Sequence, residues 1–430
     1  MNHPTNESVI EKERKLEIAA YYDTIVCGGG PAGIAAAISA ARNGARTLLI
    51  ELSGCLGGIW TSGNLSIVLD GGGKEGIFRE LLDRLEQEQA YLPTGYKSEF
   101  TYDAETMKLL LEQMCMNEGV DIQLHTRVVE TVTTNRHIDA VVTEGHSGRR
   151  ALRAKVYIDA TGSGDLAASA GCSYETGHPV TGKTQPASML AIISGVPKSQ
   201  ENTSVPSKHQ EFREFLRTAG IEPSYQSPCI FRLPHPDLCF IMMNHEYGVK
   251  CDSTEDITNA TVNGRKEIYD AVKLLREVPD WEEVRLVSTS SHIGIREGRR
   301  ITGLYKLSAE DLRQGRKFED GICLVRFQVD IHALQSHDKI GYSNENVVSK
   351  PYQIPYRSLV AMDIDNLGLA GRNVSGDFWA HASYRVTGNS VPMGEAIGFA
   401  AATAAKLGCR LDEVSGSAVS EYMSNQGYEL

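Results

Sequence analysis

No two of the nine cysteines in this 430-residue chain stand in CxxC spacing. They lie scattered at 27, 55, 115, 172, 229, 239, 251, 323 and 409. That distribution sets aside a dithiol centre, an iron–sulfur cluster and a disulfide framework, and predicts reduced thiols. No block of Lys and Arg offsets the net charge of −12, so neither nucleic acid nor an anionic membrane surface is an expected partner. No stretch is long and apolar enough to span a bilayer, and residues 1–20 carry the charged run Glu11 to Lys15 in place of an apolar signal-peptide core. The expectation is a soluble, cytoplasmic protein. Histidines such as His125, His178 and His245 lack ligand spacing, so no metal is predicted. Internal repeats and low-complexity segments are absent as well.

What is present is ordinary in amount and specific in order. A hydrophobic content of 41% suits a chain of roughly two to three domains. Residues 23–51 read as a strand, the turn Gly28-Gly-Gly-Pro-Ala-Gly33, an Ala-rich helix, a second strand and an acid, Glu51. This is the dinucleotide-binding βαβ order. Gly28 permits the tight turn, Gly30 the approach of a pyrophosphate to the helix N-terminus, and Gly33 close helix–strand packing, while Glu51 ends the second strand within reach of a ribose.

A glycine loop follows at 53–63, then a predicted helix at about 75–90 and another, capped by Asp103, running through Met114. Alternating strands fill 120–160 and end at Ala160-Thr-Gly-Ser-Gly-Asp165. The segment 186–349, with a Pro-rich patch at 223–236 and an acidic helical stretch at 264–283, reads as an inserted mixed α+β substrate domain. It divides an α/β dinucleotide-binding domain into 20–185 and 350–430, with 1–19 as a flexible extension. Residues 364–372 form a strand running into a turn, and 390–407 a Gly/Ala-rich helix introduced by Ser390, Val391 and Pro392, since Pro is favoured in a first helical turn. A second glycine fingerprint, needed for a separate nicotinamide site, is missing between 165 and 350.

Four motifs together carry a resemblance: Gly57–Gly63, Ala160–Asp165, Ile293–Gly303 and Ile354–Arg372. With them the chain resembles the bacterial FAD-dependent oxidoreductase family, within the two-dinucleotide-binding-domain flavoproteins of the glutathione-reductase type, from about residue 22 onward. The resemblance implies FAD as cofactor. It places Gly28, Gly30, Pro31, Ala32 and Gly33 at the pyrophosphate, Glu51 with Leu52 at the adenosine ribose, and Gly57 and Gly58 near the flavin edge. It places Val128, Ala160, Thr161, Gly162 and Asp165 around the adenine end. Gly371 and Arg372 fall at the ribityl chain, where the broader fold carries Asp in place of Arg372. Gly394 to Ala396 would aim helix amides at the flavin.

Oxidation of a CH–OH group leaves a proton for a base, and His is the commonest choice. His332, paired with Asp330 at i, i+2, and His381 are the candidates, with Arg385 as a substrate anchor or a charge on the flavin. The run Arg296–Arg300 reads as a salt-bridge network more readily than as an anion site. Trp60, Trp379 and Tyr384 are either stacking platforms or core. The leading expectation is oxidation of a small hydroxylated substrate, such as a sugar derivative, polyol or natural-product intermediate. A CH–CH reductase or desaturase and a flavin subunit of an electron-transfer complex are the alternatives. Self-association into a homo-oligomer stays open.

Overall fold

The first strand, β1 (Ile18–Cys27), alternates between half-buried and exposed residues over its first half and is wholly buried from Thr24 onward. Such a strand enters at the surface and ends between two covering layers. The computed structural model describes residues 8, 9, 11, 13–96, 98–200, 203, 206–338 and 340–430. Of the extension expected over 1–19, residues 1–7, 10 and 12 lie outside the described residues, and Ile18 already belongs to β1.

At the end of β1 the chain turns through Gly28, whose φ is +102° and where a Cβ would come 2.4 Å from the Ala160 carbonyl oxygen. Only glycine satisfies both conditions. Helix α1 (Pro31–Arg42) follows with Pro31 in its first turn, and β2 (Thr47–Ile50) returns parallel to β1. Helices α2 (Ile77–Gln87) and α3 (Ala104–Asn117) come next; the Asp103 carboxylate caps α3 by accepting from the Thr106 amide at 2.8 Å.

The strands β3 (Asp121–Gln123), β4 (Thr126–Thr134), β5 (His137–Gly145) and β6 (Gly148–Asp159) complete a main sheet of order β3-β2-β1-β6-β5-β4. The first four strands in that order run parallel, and β4, β5 and β6 form an antiparallel meander.

A second sheet is built from β7 (Leu190–Ser194), β8 (Cys229–Arg232), β9 (Leu238–Met242) and, after helices α4 (Pro206–Thr218) and α5 (Thr254–Leu275), β10 (Arg285–Thr289). Its order is β8-β9-β7-β10, antiparallel throughout. The period of two divides its side chains cleanly. Ala191, Ile193, Ile230, Cys239 and Ile241 join a core with Phe212, Ile268 and Leu275 of the helices, whereas Leu190, Ile192, Phe231 and Phe240 form a separate cluster on the other face. Helix α5 starts ten residues before the predicted 264. The Ser253 hydroxyl caps it by accepting from the Asp256 amide at 3.1 Å, with Glu255 and Asp256 favourably placed in the first turn.

The chain then returns through the short strand β11 (Ile331–His332) to β12 (Leu367–Leu369), which joins the main sheet parallel to β6, and on to helices α6 (Phe378–Tyr384) and α7 (Thr387–Leu407). The predicted start of α7 near Pro392 is corrected to Thr387. Thr, Gly and Asn are weak helix formers, so their sequence hides the start. Packing fixes it: a Cβ at Gly388 would sit 2.3 Å from the Leu69 carbonyl oxygen. Helix α7 lies against α1 along a seam of small residues, where a Cβ on Gly394 would come 2.0 Å from the Ala32 oxygen. Among the described residues no helix is long and apolar enough to cross a membrane.

Candidate active site

The parallel strands β1, β2, β6 and β12 end on one side of the main sheet. A cavity of about 620 Å³ opens there, bordered by Cys27, Ile50, Ala160 and Ala370 at or just past those ends. Another cleft, of about 720 Å³, is lined by Asp23, Arg46 and Lys155, each four residues ahead of a strand end. Ligands of parallel sheets bind at the carboxyl ends of the strands, which singles out the first.

At one end of this cavity the wall is made by Gly28, Gly30, Pro31 and Ala32. A Cβ on Gly30 would meet nothing within 4 Å, and neither a capping side chain nor an acidic residue occupies the first turn of α1. Its free amides and positive dipole end therefore face open space. Glu51 and Leu52 border the same space; the Glu51 carboxylate accepts from the Gly29 amide at 2.6 Å and from the Ser53 amide at 2.7 Å. Val128, Ala160, Thr161 and Gly162 border this space too, with Ala160 and Thr161 directly beside Gly28. Asp165 also reaches this wall, with its carboxylate paired to Arg299 Nη1 at 2.9 Å.

Gly371 and Arg372 close this end. The Arg372 guanidinium lies against Gly162, donates to Ser163 Oγ at 3.4 Å, and leaves its Nε without a hydrogen bond. A half-buried guanidinium so poorly satisfied, beside a helix N-terminus, fits the diphosphate of a dinucleotide. Gly58 lines the cavity, whereas Gly57 and Gly33 stand behind the wall. A Cβ on Gly33 would come 1.8 Å from the Gly28 oxygen, so Gly33 serves helix–strand packing.

The other end is closed by the second sheet, which presents Leu190, Phe231, Phe240 and Met242, and by a polar cluster. Asp330 Oδ2 accepts from Arg385 Nη2 at 3.0 Å and from His332 Nε2 at 3.1 Å, and Arg385 also donates to the Asp330 carbonyl at 2.9 Å. His332 Nδ1 lies 3.1 Å from His245 Nε2, and Tyr225 stacks on both rings at centroid distances of 4.1 Å to His245 and 5.3 Å to His332.

Because a carboxylate only accepts, His332 Nε2 carries the proton and Nδ1 is the lone-pair nitrogen. Burial, reinforced by the Arg296 charge, pulls the His332 pKa down to about 4 despite the opposing Asp330. The imidazole is therefore neutral at pH 7. Burial pushes Asp330 upward, but His332 and the guanidinium groups of Arg385 and Arg296 together win and hold it well below the usual carboxylate range.

Two expectations are corrected here. His381 does not line the cavity; the seven-residue helix α6 turns its ring inward, edge-on to Tyr384 with centroids 5.6 Å apart. Burial, with the charges of Arg300, Arg385 and Arg372 adding to it, holds the His381 pKa well below the ordinary value, and neither ring nitrogen has a hydrogen-bond partner among the described residues. The ring cannot meet a substrate. Gly394 and Ala396 likewise lie off the cavity, in the interior of α7. The residues of that helix that do face it are Thr387 and Ser390, together with its cap Val386, so the N-termini of α1 and α7 converge on one space.

The arginine run splits: Arg300 pairs with buried Glu297 at 2.5 Å, Arg299 with Asp165, and Arg296 faces the cavity. Trp60 and Tyr384 are core residues, and Trp379 donates to Glu345 at 2.9 Å. Tyr225 escaped the sequence reading, and of His245 the sequence shows only a lack of metal-ligand spacing, because no spacing relates the loop around 245 to β11.

A Methanosarcina barkeri protein described as "Uncharacterized protein in nifH2 5'region" is 28% identical over 169 residues, covering 35% of this chain and 87% of the relative. Among solved structures, a p-nitrophenol 4-monooxygenase from Pseudomonas putida superposes with a TM-score of 0.50 at 12% identity, over 95% of this chain and 87% of that one. A geranylgeranyl bacteriochlorophyll reductase-like protein from Thermoplasma acidophilum gives 0.48 at 12% identity, over 94% and 83%. At 12% identity the likeness to the monooxygenase is one of fold. Residues 23–423 match the family described as FAD dependent oxidoreductase, and the chain belongs to that family as an enzyme that uses FAD.

Proposed function

We propose that this enzyme oxidises a CH–OH group of a small hydroxylated molecule in the cytoplasm. The observation that carries the reading is the Asp330–His332 pair on the cavity wall, at the opposite end from the open N-terminus of α1. Bound FAD supplies the hydride acceptor at N5 of its flavin. The chain supplies the rest. The first-turn amides of α1 and Arg372 would hold the diphosphate, Glu51 the ribose, and the amides at Thr387 to Ser390 the pyrimidine edge of the flavin.

Asp330 fixes the tautomer of His332, as the carboxylate does in an acid–histidine dyad, so that Nδ1 presents its lone pair. A substrate hydroxyl competes with His245 for that lone pair. When the hydroxyl proton lands on Nδ1, Asp330 stabilises the resulting imidazolium. The second sheet, with Leu190, Phe231 and Phe240, keeps water from the reacting carbon.

The test is anaerobic mixing of the FAD-loaded enzyme with sugars, polyols, hydroxy acids, enoates and NAD(P)H while the visible flavin band is followed. Bleaching by an alcohol, slowed by about 10²–10⁴-fold in His332→Ala, is the expected result. Bleaching by NAD(P)H alone, with reoxidation by an enoate, would replace this reading by that of a CH–CH reductase.

A further inference from the structure

The charges at the substrate end of the cavity do not balance. Arg385 has Asp330, but Arg296 has no carboxylate within 4 Å among the described residues; its guanidinium donates to the Pro186 carbonyl and, at 3.1 Å, to Ser188 Oγ. With His332 neutral, Arg385 and Arg296 have Asp330 as the one carboxylate acting on both, while Glu99, the other carboxylate on the second-sheet side, stands beside Cys229. Burial and the neighbouring Arg385 pull Arg296 down to about 10, still charged at pH 7. A half-buried guanidinium that lines a ligand-sized cavity with no carboxylate within 4 Å is poorly compensated unless a ligand brings an anion.

The surroundings say what that ligand is. Tyr225 borders the same space, and its hydroxyl makes no hydrogen bond among the described residues, leaving a donor beside Arg296. Phe231 and Phe240 line the same cavity with apolar surface, while Glu99 borders it beside Cys229 on the second-sheet side. The fork of an arginine matches a carboxylate with two parallel hydrogen bonds.

We infer that the substrate is a hydroxylated carboxylic acid with an apolar or ring-bearing body, bound with its carboxylate on Arg296 and the Tyr225 hydroxyl and its CH–OH carbon beside His332. The inference rests on the CH–OH reading and narrows it from hydroxylated molecules in general to anionic ones.

The FAD-loaded enzyme is titrated with matched pairs of carboxylate and neutral amide, namely benzoate and benzamide, butyrate and butyramide, mandelate and mandelamide, with the visible flavin band as the readout of binding. The carboxylate is expected to bind about tenfold or more tightly than its amide in at least one pair. Arg296→Gln is expected to erase that preference while FAD content and flavin potential stay unchanged. Arg296→Lys should restore part of it, since it keeps the charge and loses the fork.

Equal binding of acid and amide in every pair overturns the inference, and the wild-type comparison needs no variant to fold. So does an Arg296→Gln enzyme that keeps the preference but loses FAD or shifts the flavin potential, because Arg296 would then serve the cofactor. The two readings fail separately. A carboxylate preference with no hydroxylated compound bleaching the flavin sinks only the oxidation; bleaching by neutral alcohols with no carboxylate preference sinks only the anionic substrate.

Discussion

His332 shows how burial sets what a side chain can do. An ordinary histidine would be half-protonated near 6.5; here the value falls to about 4. The acid limb of kcat/KM is therefore expected near pH 4, read from a pH–rate profile of the free enzyme. A limb near 6.5 would mean that another group is the base. Because Arg296 is the second cause of the depression, a carboxylate seated on it offsets that charge. The limb in kcat should then lie above the limb in kcat/KM for an anionic substrate.

Stability follows the same sign. His332, His245 and His381 all titrate lower in the folded chain than at the ordinary 6.5. As pH drops through 6.5 the unfolded chain takes up protons that the folded chain refuses until about 4 at His332, so their stabilising contribution is full above 6.5 and shrinks below it. Urea midpoints at pH 7 and pH 5 check this, with the lower midpoint expected at pH 5 and a smaller difference in His381→Phe.

Sequence reading could pair Asp330 with His332, because a strand puts i and i+2 on one face. It had no means to separate His381, since whether a ring on a short helix faces a cavity or the core depends on what packs around it.

The seam between α1 and α7 is the element on which the cofactor end depends. Gly394→Ala places a methyl 2.0 Å from the Ala32 oxygen, and a backbone carbonyl inside α1 cannot step aside. Overpacking of this kind costs about 1–3 kcal/mol. Because both helix N-termini face the cavity, weaker FAD retention should accompany the loss. Thermal unfolding and the flavin-to-protein absorbance ratio measure the two effects.

A second element-level device is the Glu297–Arg300 pair. The Glu297 carboxylate accepts from the Gly177 amide at 2.8 Å and the Gln185 amide at 2.9 Å, and Arg300 donates to the Gly177 carbonyl at 3.0 Å. Glu297→Ala strands a buried guanidinium and is expected to destabilise by about 3–5 kcal/mol in denaturant unfolding. The helices α2 and α3 were legible from amphipathic pattern and the Asp103 cap. The starts of α5 and α7 were not, since one hides behind a single Ser253 cap and the other opens on Thr-Gly-Asn.

For the molecule as a whole, the order of elements from Asp23 to Glu51 and the four motifs were enough to read the α/β fold and FAD, because turn chemistry and strand–helix alternation are local. The polar end of the cavity was legible only in Asp330, His332 and Arg385; the residues near 190, 225, 245 and 296 that complete it meet them only after the second sheet docks. FAD bound at about 100 times its Kd should add about 2.7 kcal/mol by mass action. A thermal midpoint that rises with added FAD in stripped enzyme checks that the cofactor end is organised by the folded chain.

The alternation in the second sheet has a consequence for how such an enzyme changes over time. Ile193, Ile230 and Ile241 look toward the helices and Leu190, Phe231 and Phe240 toward the cavity, so neighbouring positions in one strand answer to different selective demands. Replacements among the second set can retune which molecules enter without disturbing the helix layer. Diversification of substrate range within a constant scaffold is therefore most accessible there, one alternate residue at a time.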